Sequence, residues 1–240
     1  MPTVLITGAS RGIGLEFTRQ YLRDGWQVIA TCRTPATATS LQKLGGQYPA
    51  LQIAPLDVAD LNGIGTLAHQ LDAITLDLLI NNAGIFSGDT KRNPNLPDIS
   101  QSFGTLDAAA WNQVLYVNSI APVMVTQAFL PHLLRGQDRK VVMLTSKMGS
   151  IGLLDAAGDI AYRSSKAALN AALRNLALTL EPENFTVVGV HPGWVQTDMG
   201  GKMARITVTE SVDALRTLIG KLIPVQSGSF LDYDGSVIAW

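Results

Sequence analysis

Short apolar runs alternate with helix-period segments along almost the whole chain. The runs have the length of β-strands and lie at residues 4–6, 26–30, 51–54, 76–80, 140–145 and 185–190. Runs that are apolar throughout, instead of at every second position, indicate strands buried on both faces, as in a parallel sheet covered by helices. The alternation therefore predicts an α/β fold, a doubly wound parallel sheet with helices on both faces.

Four helix-period segments lie between these runs, at residues 12–23, 36–45, 108–134 and 161–180. The last two are long and unusually apolar. Their composition fits either burial against the sheet or self-association through an apolar face, and in the second case we expect a homodimer or homotetramer. No repeat, low-complexity tract or linker divides the sequence, so we expect a single domain over residues 1–240.

Two segments depart from this alternation. Residues 86–104 are rich in Gly, Pro, Asn and charged residues, which predicts a surface loop. Residues 194–210 contain Gly200-Gly201 between polar and apolar residues and predict a mobile flap, which either lies near a ligand or is a solvated connection. Within this flap, Trp194 and Met199 either line an apolar substrate pocket or pack inside the lid.

Composition argues against several classes of function. The 240 residues include 18 Lys and Arg against 19 Asp and Glu, a formal net charge of −1, without the basic run that a nucleic-acid partner requires. The one cysteine, Cys32, forms no internal disulfide and fits a reducing compartment. There is no signal-peptide pattern and no run of 18 uncharged apolar residues, so we expect a cytoplasmic protein without membrane contact. No Cys/His cluster has the spacing of a metal site.

Three glycines lie at the first strand-to-helix junction, in the sequence Thr7-Gly8-Ala9-Ser10-Arg11-Gly12-Ile13-Gly14. Such a junction directs free backbone N–H groups and the positive end of the helix to one point, which suits a pyrophosphate. Glycine is needed where the chain turns sharply or where a phosphate comes closer than a Cβ allows. An ordinary turn is the alternative, since the commoner spacing Gly-x-Gly-x-x-Gly is not matched. We expect cofactor contacts from Gly8, Ser10, Arg11, Gly12, Ile13 and Gly14.

The end of the second strand bears on the choice of cofactor. Dinucleotide-binding proteins that prefer NAD usually place a carboxylate there for the ribose hydroxyls, but this strand ends Ala30-Thr31-Cys32-Arg33. Arg33 and Arg11 could instead flank a 2′-phosphate, which guanidinium groups bind in a bidentate manner. Unless both arginines are merely solvated charges, this arrangement favours NADP(H).

Tyr162 and Lys166 are four residues apart and so lie on one face of a predicted helix. A phenol with a pKa of about 10 is a poor base at neutral pH, but a neighbouring ammonium lowers that pKa and enables proton exchange with a carbinol oxygen. The pair is common by chance. Further polar groups follow later strands, at the sheet edge where ligands bind: Asn82, Ser146, His191 and Thr197. Asn118 lies instead within a long predicted helix. His191 has either a packing or a cofactor role, whereas we expect only structural roles for His69 and His132.

Taken in order, these motifs resemble the short-chain dehydrogenases/reductases over essentially all 240 residues. The resemblance implies a single-domain Rossmann fold with a cofactor-binding half at about 1–150. It also implies that the adenine ring is contacted by Asp57 and Val58, that the cofactor cleft is lined by Asn82, Ala83 and Gly84, and that the nicotinamide is held by Pro192, Gly193, Val195 and Thr197. The family's catalytic tetrad matches Asn118, Ser146, Tyr162 and Lys166.

The resemblance also implies a role for each member of the tetrad. Tyr162 protonates the carbonyl oxygen as hydride leaves the nicotinamide, and Lys166 binds the nicotinamide ribose and favours the phenolate. Ser146 positions the substrate oxygen, and Asn118 kinks its helix and holds a water that links Lys166 to solvent. Ser146 precedes Tyr162 by 16 residues, more than is usual in the family, which leaves Ser150 as a minor alternative.

The function implied is that of an NADP(H)-dependent oxidoreductase that interconverts a small carbonyl compound and its alcohol. The segment Thr145–Ser150 and the ending Phe230–Trp240 are most similar to the branch with C-factor and sniffer-type carbonyl reductases. One alternative is a regulatory or signalling protein that binds the cofactor with little turnover. Another is a reductase of acyl-carrier-protein thioesters, for which Lys202 and Arg205 would form a docking surface.

Overall fold

A parallel sheet forms the centre of the molecule. The computed structural model describes residues 1–87 and 101–240, and within them the sheet has seven strands in the order β3-β2-β1-β4-β5-β6-β7. All pairs are parallel. The strands are β1 (Thr3–Ile6), β2 (Gln27–Cys32), β3 (Leu51–Pro55), β4 (Leu78–Asn81), β5 (Lys140–Leu144), β6 (Thr186–His191) and β7 (Phe230–Asp232). The doubly wound parallel sheet predicted from the alternation is confirmed.

Helices cover both faces of this sheet. One face packs against α3, α5 and α6, and the other packs against α1, α2 and α7. The helices are α1 (Gly12–Arg23), α2 (Thr39–Gly45), α3 (Leu61–Gln70), α4 (Ala108–Leu115), α5 (Ala121–Leu134), α6 (Ile160–Leu180) and α7 (Val208–Lys221). In β1, Leu5 belongs to one core cluster while Val4 and Ile6 belong to the other, which is why the central strands are apolar at most positions.

Two strands differ from the sequence-based prediction. β3 lies at the edge of the sheet, and because it has one neighbour most of its residues are partly or fully exposed, with only Ala54 buried. β7 was not predicted at all. It has three residues, pairs with β6 through His191 and Asp232 among others, and contains an aspartate, so the apolar pattern does not reveal it.

The long apolar helix predicted over residues 108–134 is interrupted. α4 and α5 are joined by a π-helical turn, Tyr116–Ile120. By length and composition the stretch Ala108–Leu134 could cross a membrane. A window of 18 residues within it has a mean hydropathy of 1.3, but half of this window is buried inside the protein. Its fully buried side chains Val125, Phe129 and Leu133 pack in the core cluster under the sheet, as in a core helix of a soluble protein. The apolar character of α5 thus reflects burial.

Residues 88–100 of the predicted surface loop lie outside the described residues. The predicted flap is described throughout. It contains an isolated bridge between Val195 and Ile206, which brings its two ends together.

Candidate active site

The carboxyl ends of the central strands bring most of the predicted residues to one edge of the sheet. Gly8 lies after β1, Asn82 after β4 and Ser146 after β5, while Pro192 follows β6. Asn118 reaches this edge from the π-helical turn, and Tyr162 and Lys166 reach it from the first turns of α6. Because the strands are parallel, residues far apart in sequence meet there.

Hydrogen bonds fix the glycine-rich loop to the end of β4. The Thr7 hydroxyl accepts from the N–H groups of Asn82 and Ala83, both at 3.0 Å. In return, the Asn82 side chain donates to the carbonyl oxygens of Thr7 at 2.8 Å and Gly8 at 3.0 Å. The loop therefore has a defined position without any ligand contact.

Packing against β4 explains two of the three glycines. A Cβ on Gly8, whose φ is +67°, would lie 2.9 Å from the Ala83 Cα. A Cβ on Gly14 would lie 2.5 Å from both the Gly8 carbonyl oxygen and the Asn82 side-chain nitrogen. Gly12 differs, because a Cβ there would meet only the Thr197 side chain, with its methyl at 3.4 Å. Glycine is favoured at this position by the backbone, which has a φ of +54°. The sharp turn at Gly12 is as predicted, whereas Gly8 and Gly14 are explained by contact within the protein.

The N-terminus of α1 has the properties of an anion site. Its N-cap residue, Arg11, makes no side-chain hydrogen bond to the helix. The first N–H groups of a helix have no acceptor within the helix, and they add to the positive end of its dipole. Since this end opens from the glycine turn, the residues present fit a pyrophosphate.

A cavity of about 310 Å³ lies beside this helix end, over the ends of β1 and β2. Arg11 and Arg33 both line it, as the sequence predicted, and hydroxyl groups form much of the remaining wall. Its other lining residues are Ser10, Cys32, Thr34, Thr37, Ala38, Thr39 and Ser40. Among these lining residues there is no carboxylate, so the cavity fits a phosphate. Arg11 also forms an exposed ion pair with Asp198 of the flap at 3.3 Å.

Asp57 and Val58 follow β3 and do not line this cavity. The Val58 side chain is buried in the core cluster. The Asp57 carboxylate accepts from the Ala59 N–H at 3.0 Å. Their adenine contact stays a prediction.

Asn118 is fully buried and joins three parts of the site. Its side-chain oxygen accepts from the Ile85 N–H at 2.8 Å, and its nitrogen donates to the Ile85 carbonyl at 2.7 Å and to the Ser165 hydroxyl at 3.0 Å. Gly84 permits this approach, since a Cβ there would lie 3.2 Å from the Asn118 oxygen. The helix is π-helical at Asn118, where the resemblance implied a kink. Sequence reasoning missed Ser165, although its place between Tyr162 and Lys166 is a usable signal.

Burial dominates the ionisation of Tyr162 and Lys166. Burial raises the pKa of Tyr162 to about 12, against a smaller lowering effect of its hydrogen bond with Ser146 and a raising effect of Asp159. Burial also lowers the pKa of Lys166 to about 8. The Lys166 ammonium lies 5.8 Å from the centre of the Tyr162 ring and donates to the Leu144 carbonyl at 2.8 Å. Burial thus sets the direction of the Tyr162 pKa shift in this arrangement, and the expectation that Lys166 favours the phenolate stays a prediction.

Hydrogen bonding separates the two candidate serines. Ser146 accepts from the Met148 N–H at 3.1 Å and lies beside the Tyr162 side chain, whose pKa it lowers. The Ser150 hydroxyl donates to the Ala239 carbonyl at 2.6 Å and accepts from the Leu153 N–H at 3.1 Å. Ser150 thus serves the packing of the chain's last residues, and only Ser146 faces the phenol.

The flap begins directly after β6. Gly193 has a φ of +86°, and a Cβ there would lie 2.5 Å from Ile206. The Ser211 hydroxyl holds Pro192 by donating to its carbonyl at 2.6 Å. Trp194 is half-exposed and its indole N–H donates to the Gly200 carbonyl at 2.8 Å, so it packs within the flap.

His191 ends β6 beside a pair that sequence reasoning missed. Lys147 forms an ion pair with the buried Asp232, which is the β7 residue opposite His191. Burial lowers the pKa of His191 to about 4; Asp232 raises it and Lys147 lowers it further. His191 is therefore neutral at pH 7. Over the described ranges, 1–87 and 101–240, no three His, Cys, Asp or Glu side chains are grouped as metal ligands.

Comparison with known proteins agrees with this geometry. The profile of the short chain dehydrogenase family matches residues 2–206. The chain belongs to the short-chain dehydrogenase family. It is 42% identical to C-signal of Myxococcus xanthus over 165 residues, which are 69% of this chain and 93% of that one.

Two solved structures in the family share the whole fold. The carbonyl reductase Sniffer of D. melanogaster has 31% identity and a TM-score of 0.91, with 100% of both chains covered. The NADPH-bound carbonyl reductase from chicken fatty liver has 35% identity and a TM-score of 0.89, covering 100% of this chain and 99% of that one. The short-chain dehydrogenase expected from the motifs is confirmed, with the Rossmann-type fold and an oxidoreductase activity.

Proposed function

We propose that this short-chain dehydrogenase is an NADP(H)-dependent reductase of aldehydes or ketones in which Tyr162 donates the proton. The observation that carries the proposal is the buried Tyr162 side chain, which lies beside Ser146 at the same sheet edge as the glycine-rich loop. The two solved structures compared above are carbonyl reductases by name, and one of them is NADPH-bound. In this proposal residues 1–240 form one domain, and the flap of residues 194–210 covers the substrate.

The protonation states suit the reductive direction. A Tyr162 pKa of about 12 keeps the phenol protonated at neutral pH, ready to donate to a carbonyl oxygen. Ser146 orients that oxygen through its hydroxyl. As the phenol loses its proton, the Lys166 ammonium stabilises the phenolate, since the two groups are buried together. The nicotinamide, when bound, supplies the hydride.

The residues that would hold the cofactor are already grouped by the fold. The N-terminus of α1 would bind the pyrophosphate, and Arg11 and Arg33 would bind the 2′-phosphate in the cavity of about 310 Å³. Lys166 would bind the nicotinamide ribose. The remaining cleft would be formed by Asn82, Ala83, Gly84, Pro192, Gly193, Val195 and Thr197.

A substrate panel tests this function. We expect the wild type to oxidise NADPH faster than NADH with at least one aldehyde or ketone. Tyr162→Phe removes the proton donor and keeps the ring, so turnover should fall by about 10²–10⁴-fold while the protein stays folded. Near-normal turnover by Tyr162→Phe would contradict the role of Tyr162.

A regulatory protein that binds the cofactor without turnover is the second candidate. It is favoured by the 42% identity to a protein named C-signal. The grouping of Asn118, Ser146, Tyr162 and Lys166 favours the enzyme, because binding alone needs no proton donor. Tight NADPH binding without oxidation across a broad carbonyl panel would support the regulatory function and contradict ours.

A further inference from the structure

Gln101 connects α6 with the loop that follows β4. Its side chain is only 2% exposed. The side-chain oxygen accepts from the Tyr162 N–H at 2.7 Å, and the side-chain nitrogen donates to the Phe86 carbonyl at 2.9 Å. The amide therefore uses its acceptor end on one segment and its donor end on the other, which fixes its orientation.

The N-terminus of α6 lacks a local side-chain cap. Its N-cap residue, Asp159, is left-handed, with a φ of +50°, and makes no side-chain hydrogen bond to the helix. Because Tyr162 is in the first turn, its N–H has no acceptor within the helix, and leaving it unpaired in the interior would cost free energy. Gln101, 61 residues away in sequence, provides that acceptor.

Gln101 also acts on the other side of the phenol. The Phe86 ring lies against the Tyr162 ring, with centroids 4.8 Å apart and planes tilted by 39°. By binding the Phe86 carbonyl, Gln101 fixes the backbone that presents this ring. One side chain thus sets both the backbone of Tyr162 and the aromatic neighbour of its ring.

We propose that Gln101 is a positioning residue for the Tyr162 hydroxyl. It holds the first turn of α6 and Phe86 in register, so that the phenol meets Ser146 and the substrate oxygen together. This inference rests on the proposed function, in which Tyr162 donates the proton. Since Gln101 contacts the Tyr162 backbone and does not line the cavity of Arg11 and Arg33, we expect it to affect turnover more than cofactor affinity.

The test uses Gln101→Glu, because only its protonated, uncharged state can donate to the Phe86 carbonyl. A neutral carboxylic acid can accept from the Tyr162 N–H and donate to the Phe86 carbonyl, as the amide does, whereas a carboxylate cannot donate. We expect kcat of Gln101→Glu to be about tenfold below wild type at pH 8 and to approach wild type as the pH falls. The KM for NADPH should stay within about twofold of wild type. Gln113→Glu, on the exposed face of α4, is the matched control and should follow wild type throughout.

Amide exchange gives a readout that does not depend on activity. Gln101→Leu removes the acceptor, so the Tyr162 amide should exchange about tenfold faster, while Gln101→Glu keeps the protection. Wild-type kcat in a folded Gln101→Leu protein, or a ratio of Gln101→Glu to wild-type kcat that is independent of pH, would overturn the proposal. If Gln101→Leu does not fold, that ratio decides alone. If the wild type reduces no carbonyl compound, the proposed function fails, and unchanged Tyr162 exchange in Gln101→Leu would separately refute positioning.

Discussion

Burial of the Lys166 ammonium beside Tyr162 lowers the stability of the folded protein at neutral pH. The ammonium is buried, and burial lowers its pKa from 10.5 to about 8. Between about pH 8 and pH 10.5 the folded protein therefore binds fewer protons than the unfolded chain, and its stability rises with pH across this range. Below this range, the buried ammonium lowers the free energy of unfolding. The shift corresponds to a cost of about 3 kcal/mol at neutral pH, at about 1.4 kcal/mol per pKa unit.

We accordingly predict that Lys166→Met stabilises the protein while abolishing turnover. Losing the hydrogen bond to the Leu144 carbonyl offsets part of the gain, by about 1 kcal/mol. A net gain of about 2 kcal/mol in the free energy of unfolding at pH 7 should raise Tm by about 4–8 °C for a chain of this size. Calorimetry at pH 7 and pH 10 checks the sign, since the gain should shrink at the higher pH. A lower Tm at pH 7 would show that the ammonium is not buried at a cost.

Arg33 is the residue that most directly tests the choice of cofactor. It lines the phosphate cavity together with Arg11, whose exposed ion pair with Asp198 contributes little. Arg33→Asp removes a phosphate ligand and offers a carboxylate to the ribose hydroxyls. We predict that the ratio of kcat/KM for NADPH to that for NADH falls at least about tenfold. Lys43→Asp on the exposed part of α2 makes the same change in charge and should leave the ratio unaltered.

The junction between α1 and β4 depends on a glycine with no room for a side chain. Gly14→Ala would place a methyl 2.5 Å from the backbone oxygen of Gly8, which cannot move without moving the loop. We predict a loss of about 1–3 kcal/mol in the free energy of unfolding. Gly65→Ala in α3 meets no atom within 4 Å and should instead add about 0.5–1 kcal/mol. Denaturant unfolding of the two variants compares them directly, and equal effects would rule out close packing at Gly14.

Elements with strong periodic patterns were predictable from the sequence, and those fixed by distant contacts were not. The central strands have uninterrupted apolar runs because both faces are covered, so these runs are visible in the sequence. β7 is too short for a pattern, and its place is set by pairing with β6. The π-helical turn depends on what Asn118 contacts near Ile85, which local sequence does not show. The same holds for Gln101, whose two partners lie in separate segments.

Self-association stays a prediction, but the apolar composition of the two long helices no longer supports it. The apolar residues of α5 and α6 are largely explained by packing against the sheet. A groove of about 790 Å³ runs along the start of α6, with exposed apolar side chains that include Phe103, Ile151 and Leu154. The cytoplasmic location likewise stays a prediction.

Proton donation by Tyr162 during hydride transfer is the central step of the proposed function. A single-turnover experiment tests it most directly, with NADPH bound beforehand and a carbonyl compound reduced by the wild type added in excess. We predict that the loss of NADPH absorbance slows by about 10²–10⁴-fold in Tyr162→Phe and is unchanged in Tyr48→Phe, a partly buried tyrosine outside the site. Equal rates in the wild type and Tyr162→Phe, with NADPH bound equally tightly, would contradict it.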